Sequence, residues 1–355
     1  MKIHTVIEAG RRHNASDIHL LVGLPPMFRI GGSITPAKGE GLTAEIIRSL
    51  VLECLTPAQA ERLEREWQLC VSLVFGDFGR ARITVYKRCG NVEMSIRMSE
   101  KRIRSRDELG LPSIVDDLAR KPHGLIILTG PTGVGKTTTF HYMLDLINAE
   151  RACKIITIED PVEYVHAFKR SIVVQQEVLV DVHDFTSALR HVLRQDPDVI
   201  AVGEMRDPDT IYTALVAAET GHLVIATLHT PGAAEVVQRL VSAFPDGQQG
   251  EVRHMLSSSL QAVVAQQLLP RAASPGQCLC CEILIGTQAV RHHIRENSTH
   301  LLYSEIQAGK KHGMVTLDQS LLDLYQRGEI TYESAVGLAK HADAIKKRAS
   351  SAIAP

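Results

Sequence analysis

The spacing of apolar side chains divides this chain into three regimes. Up to about residue 98, short alternating runs are mixed with helical periods. A first helix is expected around Val6-Ile7-Glu8-Ala9-Gly10, with strands at 17–22 and 27–30 on either side of Leu24-Pro25-Pro26. Helices near 43–54 and 57–66 and strands at 70–75, 80–89 and 92–98 complete a small α/β unit. From 123 onward, unbroken apolar runs at 124–129, 154–158, 172–175, 198–202 and 222–228 alternate with segments of helical period. Strands buried on both faces have such runs, so this region predicts a parallel sheet flanked by helices. Glu282-Ile283-Leu284-Ile285 also reads as a strand. Beyond about 287 only the helical period remains, near 289–296, 299–308, 316–327 and 331–342, and the tail after Ala344 reads as frayed. The expected organisation is a domain over 1–98, a polar, basic linker over 99–122 that turns at Gly110-Leu111-Pro112, a core over 123–287 and a helical region over 288–355.

The strands around residue 90 also predict side-chain neighbours. Gly90-Asn91 between two alternating runs is a two-residue hairpin signal. It sets a register in which Ile83 faces Met98 and Val85 faces Ile96, apolar against apolar. The other face carries Arg82, Thr84, Glu93 and Arg97, with Arg82 and Arg97 as diagonal neighbours about 7–8 Å apart. Two adjacent arginines repel unless an anion lies between them.

Composition narrows the class. The chain has 355 residues, 45% apolar and 22% charged, with a net charge of −1. That is the composition of a soluble globular protein of two domains, with no global reason to expect nucleic acid as a partner. Basic runs at Arg11-Arg12, Lys101–Arg106 and Lys346–Arg348 read as solvated surface. The N-terminal segment has no signal-peptide core, and no apolar run approaches the ~18 residues of a membrane span. An intracellular protein is expected, peripheral if it works at a membrane. Cys278-Leu279-Cys280-Cys281 lacks a second Cys/His pair at zinc spacing and runs into a strand, so these thiols are expected in the core.

The chemistry begins at residue 130. Gly130-Pro131-Thr132-Gly133-Val134-Gly135-Lys136-Thr137 fits G-x-x-x-x-G-K-[ST]. The glycines let backbone N–H groups converge on phosphates, Lys136 reaches the β/γ-phosphates, and the Thr137 hydroxyl holds Mg²⁺. Thr138 follows as a further nucleotide contact. The apolar run 124–129 before the loop and the Phe140, Met143, Leu144, Ile147 stripe after it supply the strand and the helix that the motif needs. A second strand ends in Glu159-Asp160-Pro161-Val162-Glu163, whose carboxylates can hold Mg²⁺ through water or polarise an attacking water. The strand Val199–Val202 ends in Gly203-Glu204, so Glu204 is the carboxylate available at the position of a Walker B acid. His222 and His229 bracket the last strand, where a neutral imidazole can sense a γ-phosphate by one hydrogen bond.

Together these residues resemble the type II secretion and type IV pilus traffic ATPases. The stretches Gly130–Thr137, Thr157–Tyr164, Leu193–Asp207 and Glu219–Thr230 match the family's Walker A, Asp box, atypical Gly-Glu Walker B and His box, in order. Ala15-Ser16-Asp17-Ile18-His19-Leu20, Gly23-Leu24-Pro25-Pro26-Met27, Ala289–Glu296 and Gly313–Asp318 are similar to the pilus-retraction branch. So is the length, and the long N-terminal extension and tetracysteine module of extension and secretion members are lacking. Val134 departs from the usual Ser, and His292-His293 from an Asn-Leu pair.

The resemblance implies an α/β fold: an N-terminal PAS-like domain, then a RecA-like phosphate-loop domain with a helical C-terminal extension. It implies a Mg²⁺-dependent ATP hydrolase that retracts pili as a homohexameric motor in the cytoplasm. The motor would sit at the inner face of the bacterial inner membrane, on a membrane platform protein and acting indirectly on pilin. ATP would lie between the two domains, with Arg82 and Arg97 clamping the γ-phosphate. Glu204, and after it Glu163, would orient the attacking water, assisted by His229, with His222 at the nucleotide. The alternatives are an extension or secretion ATPase with the same chemistry, or a regulatory subunit that binds nucleotide and hydrolyses little.

Overall fold

A computed structural model describes residues 1–99 and 102–343. Lys101, the Lys346–Arg348 run and the tail after Ala344 lie outside the described residues. The chain divides into two compact units, Met1–Ile103 with Pro161–Val165, and Arg104–Asp160 with the chain from His166 on.

The first unit is a six-stranded antiparallel sheet with three helices, Ile3–Arg12, Ala44–Cys54 and Pro57–Glu66. Its strands are β1 (Asp17–Leu20), β2 (Met27–Ile30), β3 (Ser33–Pro36), β4 (Gln68–Val74), β5 (Arg80–Arg88) and β6 (Asn91–Met98), in the order β3-β2-β1-β6-β5-β4. One face is apolar: Ile83, Val85, Met94 and Ile96 are fully buried, with Ile47 and Leu50 of the second helix in the same core. The third helix starts on a capping box, Thr56 with Gln59, and has Pro57 in its first turn, which satisfies backbone donors that the helix itself leaves open. β3 has no apolar signature in the sequence. It is exposed at every position and ends in proline, as an edge strand can.

Two expectations are corrected here. The hairpin turns at Cys89-Gly90, with φ of +50° and +77°, and not at Gly90-Asn91. A type I′ turn needs both central residues in the left-handed region. Taking Cys89 as the first of them leaves Asn91 extended and paired with Arg88. Ile83 therefore faces Ile96, Val85 faces Met94, and Arg82 lies directly opposite Arg97 instead of diagonally. The faces survive, because the correction moves the pairing by an even number of residues. Arg11 is not a solvated charge: its guanidinium donates to the carbonyls of Phe78 (2.8 Å), Arg80 (3.4 Å) and Ser99, tying the first helix to the sheet.

The second unit is built on seven strands: β7 (Gly124–Thr129), β8 (Lys154–Glu159), β9 (Ile172–Glu177), β10 (Val199–Val202), β11 (Leu223–Thr227), β12 (Leu260–Pro270) and β13 (Gln277–Ile285). The order is β13-β12-β7-β11-β10-β8-β9, parallel except for the β12–β13 hairpin. Every residue of β7, β10 and β11 is buried, which is why they read as unbroken apolar runs. The sequence reading held only the second half of this hairpin. Two short helices, Arg106–Leu109 and Ile114–Ala119, occupy the segment expected as linker.

After β13 the chain is helical, with Gln288–Arg295, Leu302–Ala308, Leu317–Gln326 and Tyr332–Leu338. Leu317, Leu321 and Leu324 pack with Leu269, Cys278 and Cys280, and burial pushes the Cys280 thiol up to about 12. Among the described residues no helix is long and apolar enough to cross a membrane.

Candidate nucleotide-binding site

The carboxyl ends of parallel strands are where ligands bind in such sheets, and here four of them carry the predicted motifs. β7 runs into the loop 130–135, and the helix Lys136–Glu150 follows without a side-chain cap, leaving its first N–H groups pointing into the loop. Gly130 has φ of +133°, and a Cβ there would lie 2.4 Å from the Gln266 carbonyl oxygen of β12, so no other residue fits. Gly133 and Gly135 are also left-handed, at +86° and +87°. Pro131, Thr132 and Gly133 are exposed, Val134 is buried, and Thr137 and Thr138 are half-buried at the start of the helix.

Lys136 is the centre of the loop. Its ammonium is buried and donates to the carbonyls of Gly130 (2.7 Å) and Pro131 (2.8 Å) and to His229 Nδ1 (3.3 Å). All three of its protons are directed at loop and imidazole acceptors. Burial lowers its pKa, and the nearby Glu204 carboxylate works against that. Because the ammonium only donates, His229 Nδ1 accepts and the ring proton sits on Nε2. Nε2 faces Glu204 Oε1 at 3.0 Å, and the other Glu204 oxygen holds Arg206 Nη2 at 2.7 Å. Burial would raise the Glu204 pKa, but Arg206 and His229 outweigh it, and the group lies below its ordinary value. The result is a continuous chain Lys136–His229–Glu204–Arg206, joining three of the four predicted motifs.

The backbone around this chain is fixed by short contacts. The Thr227 hydroxyl donates to the Gly203 carbonyl, and the Met205 N–H donates to the Thr227 carbonyl at 3.1 Å. Space is tight at Gly203: a Cβ there would sit 3.1 Å from the Ile158 carbonyl oxygen and 3.3 Å from Glu159 Cα. An aspartate at this position would press on β8, so Glu204 stands alone. Asp207 caps the next helix, accepting from the Thr210 N–H at 2.8 Å.

Other predicted residues lie elsewhere. Glu159 is buried and does not face the loop: it accepts from Thr157 Oγ1 (2.6 Å) and Gln175 Nε2 (3.0 Å) and faces His141 Nε2 (3.3 Å). Of the three carboxylates expected at the ligand end of β8, Glu159 is thus turned away from the loop, while Asp160 is near enough to Arg206 to act on its charge. Glu163 lies on Pro161–Val165, the segment that belongs to the first unit. His222 precedes β11 at the amino end of the strand, opposite the phosphate loop, and its Nδ1 contacts the Ala217 carbonyl at 2.9 Å. The structure therefore does not bring His222 to Lys136 within the chain.

In the first unit, the anion beside Arg97 is Asp17. Arg97 Nε donates to Asp17 Oδ1 at 2.9 Å. Burial pushes the Asp17 pKa up, but the bonds from Arg97 and Ser16 hold it below its ordinary value. Arg82 lies opposite on β5.

Two further residues, Arg206 and Gln266, contribute to the site. Arg206 was visible as the cation two residues after Glu204. Gln266, whose amide donates to Thr139 Oγ1 at 2.8 Å beneath the loop, had no local signal because β12 itself was not foreseen. Among the described residues no group of three or more His, Cys, Asp or Glu is arranged to hold a metal ion. The donor set near the loop, the Thr137 hydroxyl plus a partly accessible carboxylate, instead suits a magnesium ion bound largely through substrate phosphates and water.

A family model described as "Type II/IV secretion system protein" matches residues 95–349. The chain belongs to that family. It is 39% identical over 340 residues to the type IV pilus retraction ATPase PilT of Pseudomonas aeruginosa, covering 96% of this chain and 98% of that one. It is 40% identical over 320 residues to a twitching motility protein of Neisseria gonorrhoeae, covering 90% and 86%. A crystal structure of the pilus retraction motor PilT with bound ADP matches with a TM-score of 0.91 and 42% identity, over 98% of this chain and 99% of that one. This family member is accordingly an ATPase that uses adenine nucleotide.

Proposed function

We propose that the chain hydrolyses magnesium-bound ATP to power retraction of a type IV pilus, acting as a homohexamer at the cytoplasmic face of the inner membrane on a platform protein there. The observation that carries the chemistry is the Lys136–His229–Glu204 chain at the mouth of a complete phosphate loop. The full-length likeness to a pilus retraction ATPase carries the biological output. Lys136 exchanges its two loop carbonyls for phosphate oxygens, which set formal negative charge against a buried ammonium. His229 keeps Glu204 oriented through Nε2. Glu204 is the residue that orients water, with Glu163 second. Magnesium, held by Thr137 and by Glu163 through water, would neutralise phosphate charge. Positioning and charge neutralisation are what phosphoryl transfer asks of a protein.

Arg82 and Arg97 act on the γ-phosphate in this reading, and loss of that phosphate frees the first unit to move. Of the two, Arg82 is the cleaner probe, because Arg97 also serves Asp17. The test is complementation of a retraction-deficient deletion strain. The wild-type chain restores retraction, while Arg82→Ala does not and binds ATP, but not ADP, more weakly. Restored pilus assembly in place of retraction, or equal loss of both nucleotides, would overturn this reading.

A further inference from the structure

Beneath the phosphate-loop helix lies a circuit of contacts among three enclosed side chains and the half-buried Gln175, which the chemistry above does not use. Glu159 ends β8, and Gln175 lies beside Thr157 on the neighbouring β9. Gln175 Nε2 donates to Glu159 Oε1 at 3.0 Å, and its Oε1 accepts from the His166 backbone N–H at 2.9 Å. The His166 ring meets His141 Nδ1 through its Nε2 at 3.0 Å. His141 Nε2 returns to the second Glu159 oxygen at 3.3 Å. The two imidazole side chains are fully enclosed, and Glu159 is 3% exposed. Burial, and then the neighbouring His141, push the His166 pKa down to about 4, so this ring stays uncharged at neutral pH.

The placement of the circuit is more telling than its polarity. His141 belongs to the same helix as Lys136. Glu159 and His166 bracket the segment on which the chain leaves the second unit and returns, Pro161–Val165 being grouped with the first. Glu163 lies on that segment. One imidazole on the phosphate-loop helix therefore grips both ends of the loop that carries Glu163. Burying three polar side chains is costly; among the described residues the enclosed His166 Nδ1 has no hydrogen-bond partner and His141 Nε2 meets Glu159 at ion-pair distance, so a hydrophobic filling would serve stability as well or better. Such a circuit is useful when a geometry has to be held.

We propose that His141 is a positioning residue: through Glu159 and His166 it sets the reach of the Glu163 loop from the phosphate-loop helix, and so acts on the rate of hydrolysis and not on nucleotide affinity. The proposal rests on the catalytic role given above to Glu163.

The test uses the full chain and measures ATP turnover, fluorescent-nucleotide affinity and melting temperature for His141→Leu, His141→Gln, Glu163→Gln and the double variant His141→Leu/Glu163→Gln. His141→Leu is expected to lower kcat about tenfold, which is about 1.4 kcal/mol of barrier, with nucleotide Kd within about twofold. Glutamine can donate to the carboxylate and accept from the second ring, so His141→Gln should recover most of the rate. The double variant should be no slower than Glu163→Gln alone, the signature of two residues acting on one step. Near-normal turnover by Glu163→Gln sinks the role of Glu163 itself. A slow Glu163→Gln beside a normal or strictly additive His141→Leu overturns the positioning role alone. Should His141→Leu fail to fold, Gln175→Met opens the circuit on its opposite side and carries the same expectation. If both variants unfold, the circuit is a folding element and the proposal fails.

Discussion

Of the carboxylate–imidazole pairs in the second unit, two could hardly differ more in setting. Glu204 and His229 meet at 3.0 Å with side chains 18% and 45% exposed. Glu159 and His141 meet at 3.3 Å with side chains 4% and 0% exposed. Both carboxylates are held below their ordinary pKa against burial, the first chiefly by Arg206 and His229, the second chiefly by His141. The open pair has a neighbour in Lys136, whose contacts can be traded for phosphate. The sealed pair has only fixed neighbours. The same two functional groups thus serve chemistry where solvent and substrate can enter, and geometry where they cannot.

The comparison can be broken most severely at its open end. Lys136→Ala removes the one fixed cation of the phosphate loop and is expected to abolish ATP turnover, measured as phosphate release. Turnover at the wild-type rate would show that this loop is not the site. Lys136→Arg is no rescue, since the loop is shaped around a compact ammonium.

A smaller effect separates the two carboxylates. Glu204→Gln should still bind ATP and lose about two orders of magnitude in turnover, about 3 kcal/mol of barrier, with an unchanged melting temperature. Glu159→Ala should do the reverse in stability. It leaves the donors of Thr157 and Gln175 buried without an acceptor, a loss of about 1–3 kcal/mol for each such group. Calorimetry on both variants would sharpen the contrast. A stable Glu159→Ala protein would show that water or a local shift replaces the carboxylate.

The last expected effect is confined to acid. His166 titrates near 4 in the folded chain against an ordinary 6.5. Between those values the unfolded chain binds a proton that the folded chain refuses, so stability falls as pH drops through this window. The groups facing His166 include His141, Glu159, Asp145 and Lys169, and those acids oppose the shift only in part. His166→Gln has no such proton to refuse. Its melting temperature should therefore decline less than that of the wild-type chain between pH 6.5 and pH 4. Parallel declines would place the acid sensitivity elsewhere.

The parts of the candidate site that were legible beforehand are those written contiguously. Gly130–Thr137 needs a strand before it and a helix after it, and both have strong local periods. Glu204 and His229 each end an apolar run in a parallel sheet, so topology alone delivers them to one edge. His222 shows the limit of that argument. It flanks the same strand as His229 but at the amino end, and the motif does not say which end a flanking residue faces. The hairpin register was displaced because Cys89, a residue with little preference for the left-handed region, takes the first turn position. The sealed circuit had no sequence signal, since its members come from a helix, two strands and a loop.

By itself, then, the sequence determined the class of chemistry, the division into an alternating and an unbroken apolar regime, and the sheet faces, because these depend on local period and contiguous motifs. Tertiary structure decided which charges meet. Asp17 beside Arg97, Gln266 beneath the phosphate loop and His141 between Glu159 and His166 are pairings of residues far apart in the chain. Burial, which makes such pairings strong, exists only once the sheets have closed over them.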